Sequence, residues 1–417
     1  MTRTNGRLSR TESAHRSCPS HLESAPGSRP SRSCGVVIVG GGLAGQRCAE
    51  ALRRQGYEGP VRIVCAELHR PYDRPPLSKG MLAGEGSADS LPYRPAEWYE
   101  EHSIGLLLGV AATGLDPAGR MLRLSGGATL GYERLLIATG SRPRILPTLA
   151  GFENVSPLRT IEDAACLHEV LANPSRLAVI GAGFIGQEVA ATARRLGAQV
   201  TMIEAAPCPL AGILGKQMGG WFGRLHESEG VGLLCNRTVA AVEGNGRVER
   251  LRFSDGREIE PDHVVVGVGV EADTAWLARS GIECSSGVPV DQHGRTTVQD
   301  VYAAGDAAAT YDPLLGRHIP GSHWEAAGRQ GARAAKAMLG LEPDPAPATS
   351  FWTDQYGIRI QYLGRAGLAD RVEIDGDPDA RSFTATFSRG ARTVAALLVN
   401  RPRELAAART LIEKGGR

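Results

Sequence analysis

Residues 177–204 read LAVIGAGFIGQEVAATARRLGAQVTMIE. Four apolar residues, 177–180, predict a short buried strand, and Gly181-Ala182-Gly183-Phe184-Ile185-Gly186 follows at once. A helical pattern then runs to Gly197, and a second apolar run, 200–203, stops on the acid Glu204. This is the strand–turn–helix–strand unit that binds a dinucleotide pyrophosphate. Gly181 makes the tight turn, Gly183 lets phosphate approach the backbone, and Gly186 packs the helix onto the strand. The free N–H groups and dipole at the helix N-terminus favour the phosphate charge.

One such motif is weak evidence, but this one has a twin. Residues 36–39, VVIV, lead into Gly40-Gly41-Gly42-Leu43-Ala44-Gly45, a helical stretch to Gly56, a second strand over 61–64, and the acid Glu67. Each acid is placed to accept a hydrogen bond from an adenosine ribose 2′-OH. A single match also fits a Gly-rich turn in an unrelated α/β domain. Two, each with its acid, point to two nucleotide sites.

The repeat extends further. Residues 135–137 lead into Ala138-Thr139-Gly140, and 264–266 into Gly267-Val268-Gly269; each reads as a late strand ending in a Gly turn beside the ligand. β-rich meanders fill the space before the late strands, as at 239–242, 248–253 and 258–259. The proline-bearing stretch 143–157 reads as a linker between the halves. TVQDVYAAGD at 297–306 predicts another short strand, ending at Gly305-Asp306, followed by a helix over 324–339. Pro-rich 342–348 marks a boundary. The remainder alternates at 359–362 and 382–387 and closes on a helix over 403–413, with Leu405, Ala408, Leu411 and Ile412 on one face. That is a small α+β domain. The domains are therefore expected at 35–147 with 271–345 for one nucleotide, 148–270 for the other, and 346–417 at the C-terminus.

The 417 residues allow two or three domains. Lys and Arg total 47 against 45 acids, so no global field argues for nucleic acid or an anionic membrane. The first 34 residues carry six Arg, two Glu and eight Ser, without an apolar core for a secretory signal. They read as a disordered tail. Glu12, Glu23 and the Pro and Gly residues there argue against an amphipathic transit helix; a start assigned too far upstream fits as well. No run approaches the roughly 18 apolar residues of a membrane span. The eight cysteines form no C-x-x-C pair, which disfavours zinc, iron–sulfur and a redox disulfide and predicts no metal site. Their dispersal fits reduced thiols in a cytoplasm, buried as small hydrophobes.

The order GGGLAG, Glu67, RPYDRPPLSK (70–79), ATGSRPR (138–144), LRTIEDA (158–164), GAGFIGQE (181–188), Glu204, GVG (267–269), VYAAGD (301–306), FWTDQY (351–356) and NRPRE (400–404) resembles the FAD-dependent ferredoxin reductases of oxygenase systems. That family includes putidaredoxin reductase and the reductases of Rieske-type dioxygenases. The resemblance runs over 35–417. It implies a glutathione-reductase-like α/β fold with two Rossmann-type dinucleotide-binding domains, the FAD domain split by the NAD domain, and a small C-terminal domain.

The resemblance implies FAD at the first site, with Gly40, Gly42, Ala44 and Gly45 at its pyrophosphate and Glu67 at its ribose. Arg74, Lys79, Ala112, Thr139, Gly140, Arg159, Asp306 and Trp324 complete that set. Prolines stiffen the 70–79 segment, and Lys79 would reach the flavin ring; without the family, the segment also reads as a solvated surface loop. Asp306 suits a ribitol hydroxyl, or caps the following helix, or both. NAD would take Gly181, Gly183, Ile185, Gly186, Glu188, Glu204 and Gly269. Glu204 precedes Ala205-Ala206-Pro207 with no basic neighbour, which predicts NADH over NADPH; Arg194 and Arg195 read as an exposed helix face. Glu188 is expected near the nicotinamide, paired with Lys79. Where many relatives carry Pro-Asn this chain has Ala272-Asp273, which implies a looser loop there.

The expected reaction passes hydride from NADH to FAD, with Lys79 stabilising the negative charge that develops. PPLSK (75–79) holds no cysteine where disulfide reductases of this fold carry one. Electrons must then leave from the flavin directly, as suits a [2Fe–2S] ferredoxin or a rubredoxin feeding a P450 or Rieske-type oxygenase. Two readings compete: an NADH oxidase or monodehydroascorbate-type reductase, and a redox-sensing binding protein resembling apoptosis-inducing factor. Trp352, Tyr356 and Arg401 either line the flavin edge or pack. Both a monomer and a homodimer are open.

Overall fold

The computed structural model describes residues 35–173, 175–312, 315–321, 323–344 and 348–414. The tail read above at 1–34 lies outside them, as do Cys18 and Cys34.

Val36–Val39 is the centre of a five-stranded parallel sheet in the order Val301–Ala303, Arg134–Ile137, Val36–Val39, Val61–Cys65, Ile104–Leu108. All four residues of VVIV are buried, because both faces of a parallel sheet are covered. Helices Leu43–Arg54 and Trp324–Met338 pack together over one face. A side chain at Gly331 would place its Cβ 2.0 Å from the Ala44 carbonyl, so only glycine permits that approach.

A second parallel sheet repeats the pattern: Gly232–Cys235, Gln199–Glu204, Arg176–Ile180, His263–Val266, Val155–Ser156. The last strand corrects the expectation of a plain linker over 143–157. Ser141–Pro143 pairs with Val270–Ala272, and Val155–Ser156 forms the sheet edge, held because buried Asn154 brackets Val248 through both its amide nitrogen and its oxygen. Thus the connection between the sheets is itself hydrogen-bonded at both ends. Three-stranded antiparallel meanders accompany each sheet, at Ala112–Gly131 and Val239–Ile259 respectively.

The C-terminal sheet is antiparallel, in the order Ser350–Gln355, Ile358–Gly364, Arg392–Val399, Ser382–Arg389, Arg371–Asp377. One of its faces shares a core with helix Ala211–Ser228: Trp221 and Phe222 of the helix lie among Ile360, Tyr362, Phe383 and Leu397. Its other face takes the closing helix, Leu405–Lys414, preceded by a 3-10 turn at Pro402–Glu404. Ala408 and Ile412 of that helix are buried, but Leu411 is 58% exposed. The one-face expectation for Leu411 is therefore corrected: at i+3 from Ala408 it falls on the solvent edge of a narrow buried stripe.

Candidate functional site

Both glycine turns have the geometry their spacing demands. Gly40 and Gly181 hold φ of +117° and +100°, and a Cβ there would strike the Ala138 and Gly267 carbonyls at 2.1 and 2.4 Å. A Cβ on Gly45 or Gly186 would meet the carbonyl of its own turn, at Gly40 or Gly181, at 2.2 and 2.1 Å. At Gly42 and Gly183, by contrast, nothing lies within 4 Å of the added Cβ. These two glycines face open cradles at helix N-termini that have no side-chain cap. That space fits a phosphate.

The strand-end acids are engaged differently. Glu204 accepts backbone N–H groups from Ala182 (2.7 Å) and Ala206 (2.8 Å), so it braces the turn that bears Gly181 and Gly183. Among the described residues no Lys or Arg forms an ion pair with it. Arg194 is tied to the Ala198 and Glu229 carbonyls and Arg195 to exposed Glu85. Glu67 instead accepts from Tyr72 Oη (2.5 Å) and Arg74 (2.6 Å), and Arg74 also reaches the Arg159 carbonyl (2.7 Å).

Between the turns lies a cavity of about 270 Å³. Gly42, Ala44, Arg74, Lys79, Gly140, Arg159, Asp306 and Trp324 line it from the first half, and Ile185 and Glu188 from the second. Pro75–Ser78 forms a 3-10 turn that presents Lys79, whose Nζ sits 2.7 Å from Glu188 Oε2. The ion pair implied by the resemblance is thus formed. Ser78 Oγ donates to the same Glu188 oxygen (2.5 Å), and Thr353 Oγ1 donates to the other (2.7 Å). Asp306 accepts from Ser141 Oγ (2.7 Å) and faces Arg159 at 3.6 Å. Burial and the neighbouring Arg74 push the Arg159 guanidinium below its usual range, with Asp306 opposing. Trp324 Nε1 donates to Asp73 (2.6 Å), which locks the indole against the 70–79 segment.

Gly40, Gly45, Gly181, Gly183, Gly186, Glu67 and Glu204 do not line the cavity but form the turns and strand ends described above, whereas Ala112, Thr139 and Gly269 belong to neither. Ala112 is half-buried against the core of the first sheet; its strand turns the side chain toward that packing. Thr139 Oγ1 donates to the Asp273 carbonyl (2.6 Å). Gly269, at φ +98°, accepts the Arg144 N–H (3.0 Å) at the crossing between the halves. The loop at Ala272-Asp273 is pinned rather than loose, because Asp273 N also donates to Gly140 (2.9 Å). Of the three C-terminal residues left open, Trp352 lines the cavity, Tyr356 bonds His226, and Arg401 pairs with Asp375 and Glu404.

The cavity also holds residues the sequence did not single out: Phe184, His323 and Phe351. Phe184 meets Phe351 edge-on at 4.3 Å, and His323 stacks on Phe351 at 5.0 Å. Burial pushes His323 below its usual range, with Asp306 opposing. Only its place next to Trp324 could have flagged His323. Among the described residues no cysteine lines the cavity, and burial raises the Cys48 and Cys65 thiols, the latter to about 12. Among the described residues no group of three metal-ligating side chains could hold a metal.

Residues 35–331 match the pyridine nucleotide-disulphide oxidoreductase family, and residues 350–417 match a reductase C-terminal domain. The chain belongs to the pyridine nucleotide-disulphide oxidoreductases. It is 38% identical to the anthranilate 1,2-dioxygenase system ferredoxin–NAD(+) reductase component of Burkholderia cepacia, over 91% of this chain and 94% of that protein. It is 33% identical to putidaredoxin reductase of Pseudomonas putida, over 90% and 91%. A crystal structure of a covalent putidaredoxin reductase–putidaredoxin complex superposes with a TM-score of 0.88 at 33% identity, over 91% of this chain and 93% of that one. The glutathione-reductase-like fold follows from these matches. Members of this family work with FAD and NAD(H). The open cradles at Gly42 and Gly183, the strand-end carboxylates and the cavity lined by both halves fit both groups.

Proposed function

We propose that this protein is an NADH-dependent ferredoxin reductase that feeds electrons to an oxygenase. FAD is assigned to the half that contributes Gly42, Glu67 and Asp306, spanning 35–147 and 271–345, and NADH to the half with Gly183 and Glu204, spanning 148–270. Phe351 and Trp352, of the part assigned to the C-terminal domain at 346–417, wall the cavity. Bound there, FAD would supply a two-electron acceptor for hydride that can pass its electrons on one at a time.

The protein supplies orientation and electrostatics. Arg74 neutralises Glu67, so the adenosine end of the first site keeps a carboxylate acceptor without a free negative charge. Lys79 lines the cavity together with Arg74 and Arg159, held by Glu188 and the Pro75 carbonyl, while Ser78 braces Glu188. A cation fixed there is already oriented when negative charge develops, so no reorganisation is needed. Glu204, with two backbone donors and no basic partner, has no counter-charge for a 2′-phosphate and favours NADH.

A cysteine-free cavity carries the assignment of the acceptor. With no thiol to reduce, electrons go from the flavin to an external one-electron carrier, which we take to be a [2Fe–2S] ferredoxin. That the relatives above are named for ferredoxin and putidaredoxin supports this over a small-molecule oxidase or a binding protein. The described cysteines are all free, which supports a reducing cytoplasm. The test is NADH-driven cytochrome c reduction with and without a [2Fe–2S] ferredoxin. Stimulation by the ferredoxin is expected; a rate indifferent to it would overturn the assignment.

A further inference from the structure

Residues Gln187 and Glu188 are adjacent on helix Phe184–Arg195, yet they connect to different residues of the C-terminal domain, Glu188 directly to Thr353 and Gln187 through His226 to Tyr356. Glu188 accepts from Thr353 Oγ1 at 2.7 Å, and Thr353, completely buried, accepts in turn from Gln355 Nε2 at 3.1 Å. Gln187 Oε1 accepts from His226 Nε2 at 3.1 Å, and His226 Nδ1 accepts from Tyr356 Oη at 2.7 Å. Those roles fix one neutral tautomer of His226, protonated on Nε2. Gln187 Nε2 then donates to the Ala182 carbonyl at 2.9 Å. Ala182 lies in the phosphate-binding turn, and its N–H is the one that Glu204 accepts.

Two polar chains therefore start near the end of strand Ser350–Gln355 and reach helix Phe184–Arg195 of the second half. One goes from Thr353 through Glu188 to Lys79 in the cavity. The other runs from Tyr356 through His226 and Gln187 to the Gly181–Gly183 turn. Gln187, His226 and Thr353 are fully buried, and Gln355 is nearly so. Buried networks of this kind are worth retaining only if every member is oriented.

We infer that Thr353 and Tyr356 are positioning residues for NADH oxidation, each acting on a different part of the site. Thr353 orients the Glu188 carboxylate and hence Lys79, so it governs the rate of flavin reduction. Tyr356 fixes His226 and Gln187 and hence the turn, so it governs dinucleotide affinity. The inference rests on the assignment of NADH to the turn at Gly181–Gly183.

The test compares Thr353→Val, Thr353→Ser and Tyr356→Phe as FAD-loaded proteins. Anaerobic stopped-flow flavin reduction gives the rate constant, and calorimetric titration with NAD⁺ gives the Kd. Thr353→Val is expected to slow reduction roughly tenfold, the loss of one hydrogen bond to a charged acceptor, with Kd little changed. Thr353→Ser keeps the donor and retains the wild-type rate. Tyr356→Phe is expected to raise Kd several-fold with a smaller effect on the rate constant. Thr384→Val, in the same sheet but bonded only to Glu404, is expected to match wild type in both. Equal effects of Thr353→Val and Tyr356→Phe on both quantities, or no effect, would overturn the inference. If Thr353→Val does not fold, a Thr353→Ser rate as low as that of Thr353→Ala, or an unchanged Kd in Tyr356→Phe, overturns it. Wild-type protein that NADH does not reduce and NAD⁺ does not bind would instead refute the cofactor assignment.

Discussion

At the scale of single residues, charge placement decides the chemistry. Lys79 is partly exposed to the cavity while Glu188 is buried, so removing the lysine charge strands a carboxylate that has only Ser78 and Thr353 as partners. Lys79→Gln is expected to slow flavin reduction ~10²-fold, the order of magnitude for losing a preorganised electrostatic stabiliser, with stopped-flow absorbance as the readout. Glu204→Arg reverses the sign at the adenosine end of the second site. It is expected to raise kcat/KM for NADPH and lower it for NADH, and steady-state kinetics with both coenzymes checks this. These residues were legible because their spacing from a glycine turn carries the information, although the pairing of Lys79 with Glu188 came from family resemblance alone. Thr353 and His323 were not legible. A buried threonine alternating within a strand, or a histidine ahead of a helix, reads as packing until three separate segments meet around it.

At the scale of elements, the same glycine substitution separates binding from folding. The added methyl of Gly183→Ala occupies empty space, with φ in the ordinary negative range. It is expected to leave Tm unchanged while raising KM for NADH, because it fills the phosphate cradle. Gly186→Ala drives a Cβ to 2.1 Å from the Gly181 carbonyl, and overpacking of that kind costs about 1–3 kcal/mol. Thermal melts and NADH titrations of the two variants are expected to give opposite patterns. The strands and turns of both βαβ units could be read because apolar runs and glycines coincide there. Helix Ala211–Ser228 could not, since it carries Gly212, Gly215, Gly219, Gly220 and Gly223 and kinks at Gly215, where φ is +74°. Gly219 is required by the approach of the Pro209 carbonyl, 2.4 Å from a would-be Cβ, so tertiary packing overrides the low helix propensity. The edge strand Val155–Ser156 escaped notice for a related reason: two residues ahead of Pro157 carry no periodicity.

At the scale of the molecule, two buried histidines, His226 on helix Ala211–Ser228 and His263 on a strand of the second sheet, make the fold acid-sensitive. Burial holds both His226 and His263 down at about 4, against an ordinary 6.5 when unfolded. Between those values the unfolded chain binds protons that the folded chain refuses. Stability is therefore complete above about pH 6.5 and falls as pH drops toward 4, by at most about 3 kcal/mol per histidine. Tm measured from pH 7.5 to pH 4.5 is expected to decline, and His263→Gln to flatten part of the slope.

The C-terminal sheet also closes the cavity. Trp352 meets Trp324 edge-on at 5.2 Å, Arg359 covers its ring at 5.3 Å, and Phe351 fills the gap between Phe184 and His323. Apart from Phe184, this aromatic wall comes from residues far from either glycine turn, and the expectation it carries is limited access of water and oxygen to the site. Trp352→Ala opens the wall without touching Lys79, Glu188 or either phosphate cradle. It is expected to leave NAD⁺ affinity near wild type while raising the hydrogen peroxide formed per NADH consumed, measured by a peroxidase-coupled assay with ferredoxin present. An unchanged peroxide yield would mean that the wall does not control oxygen access.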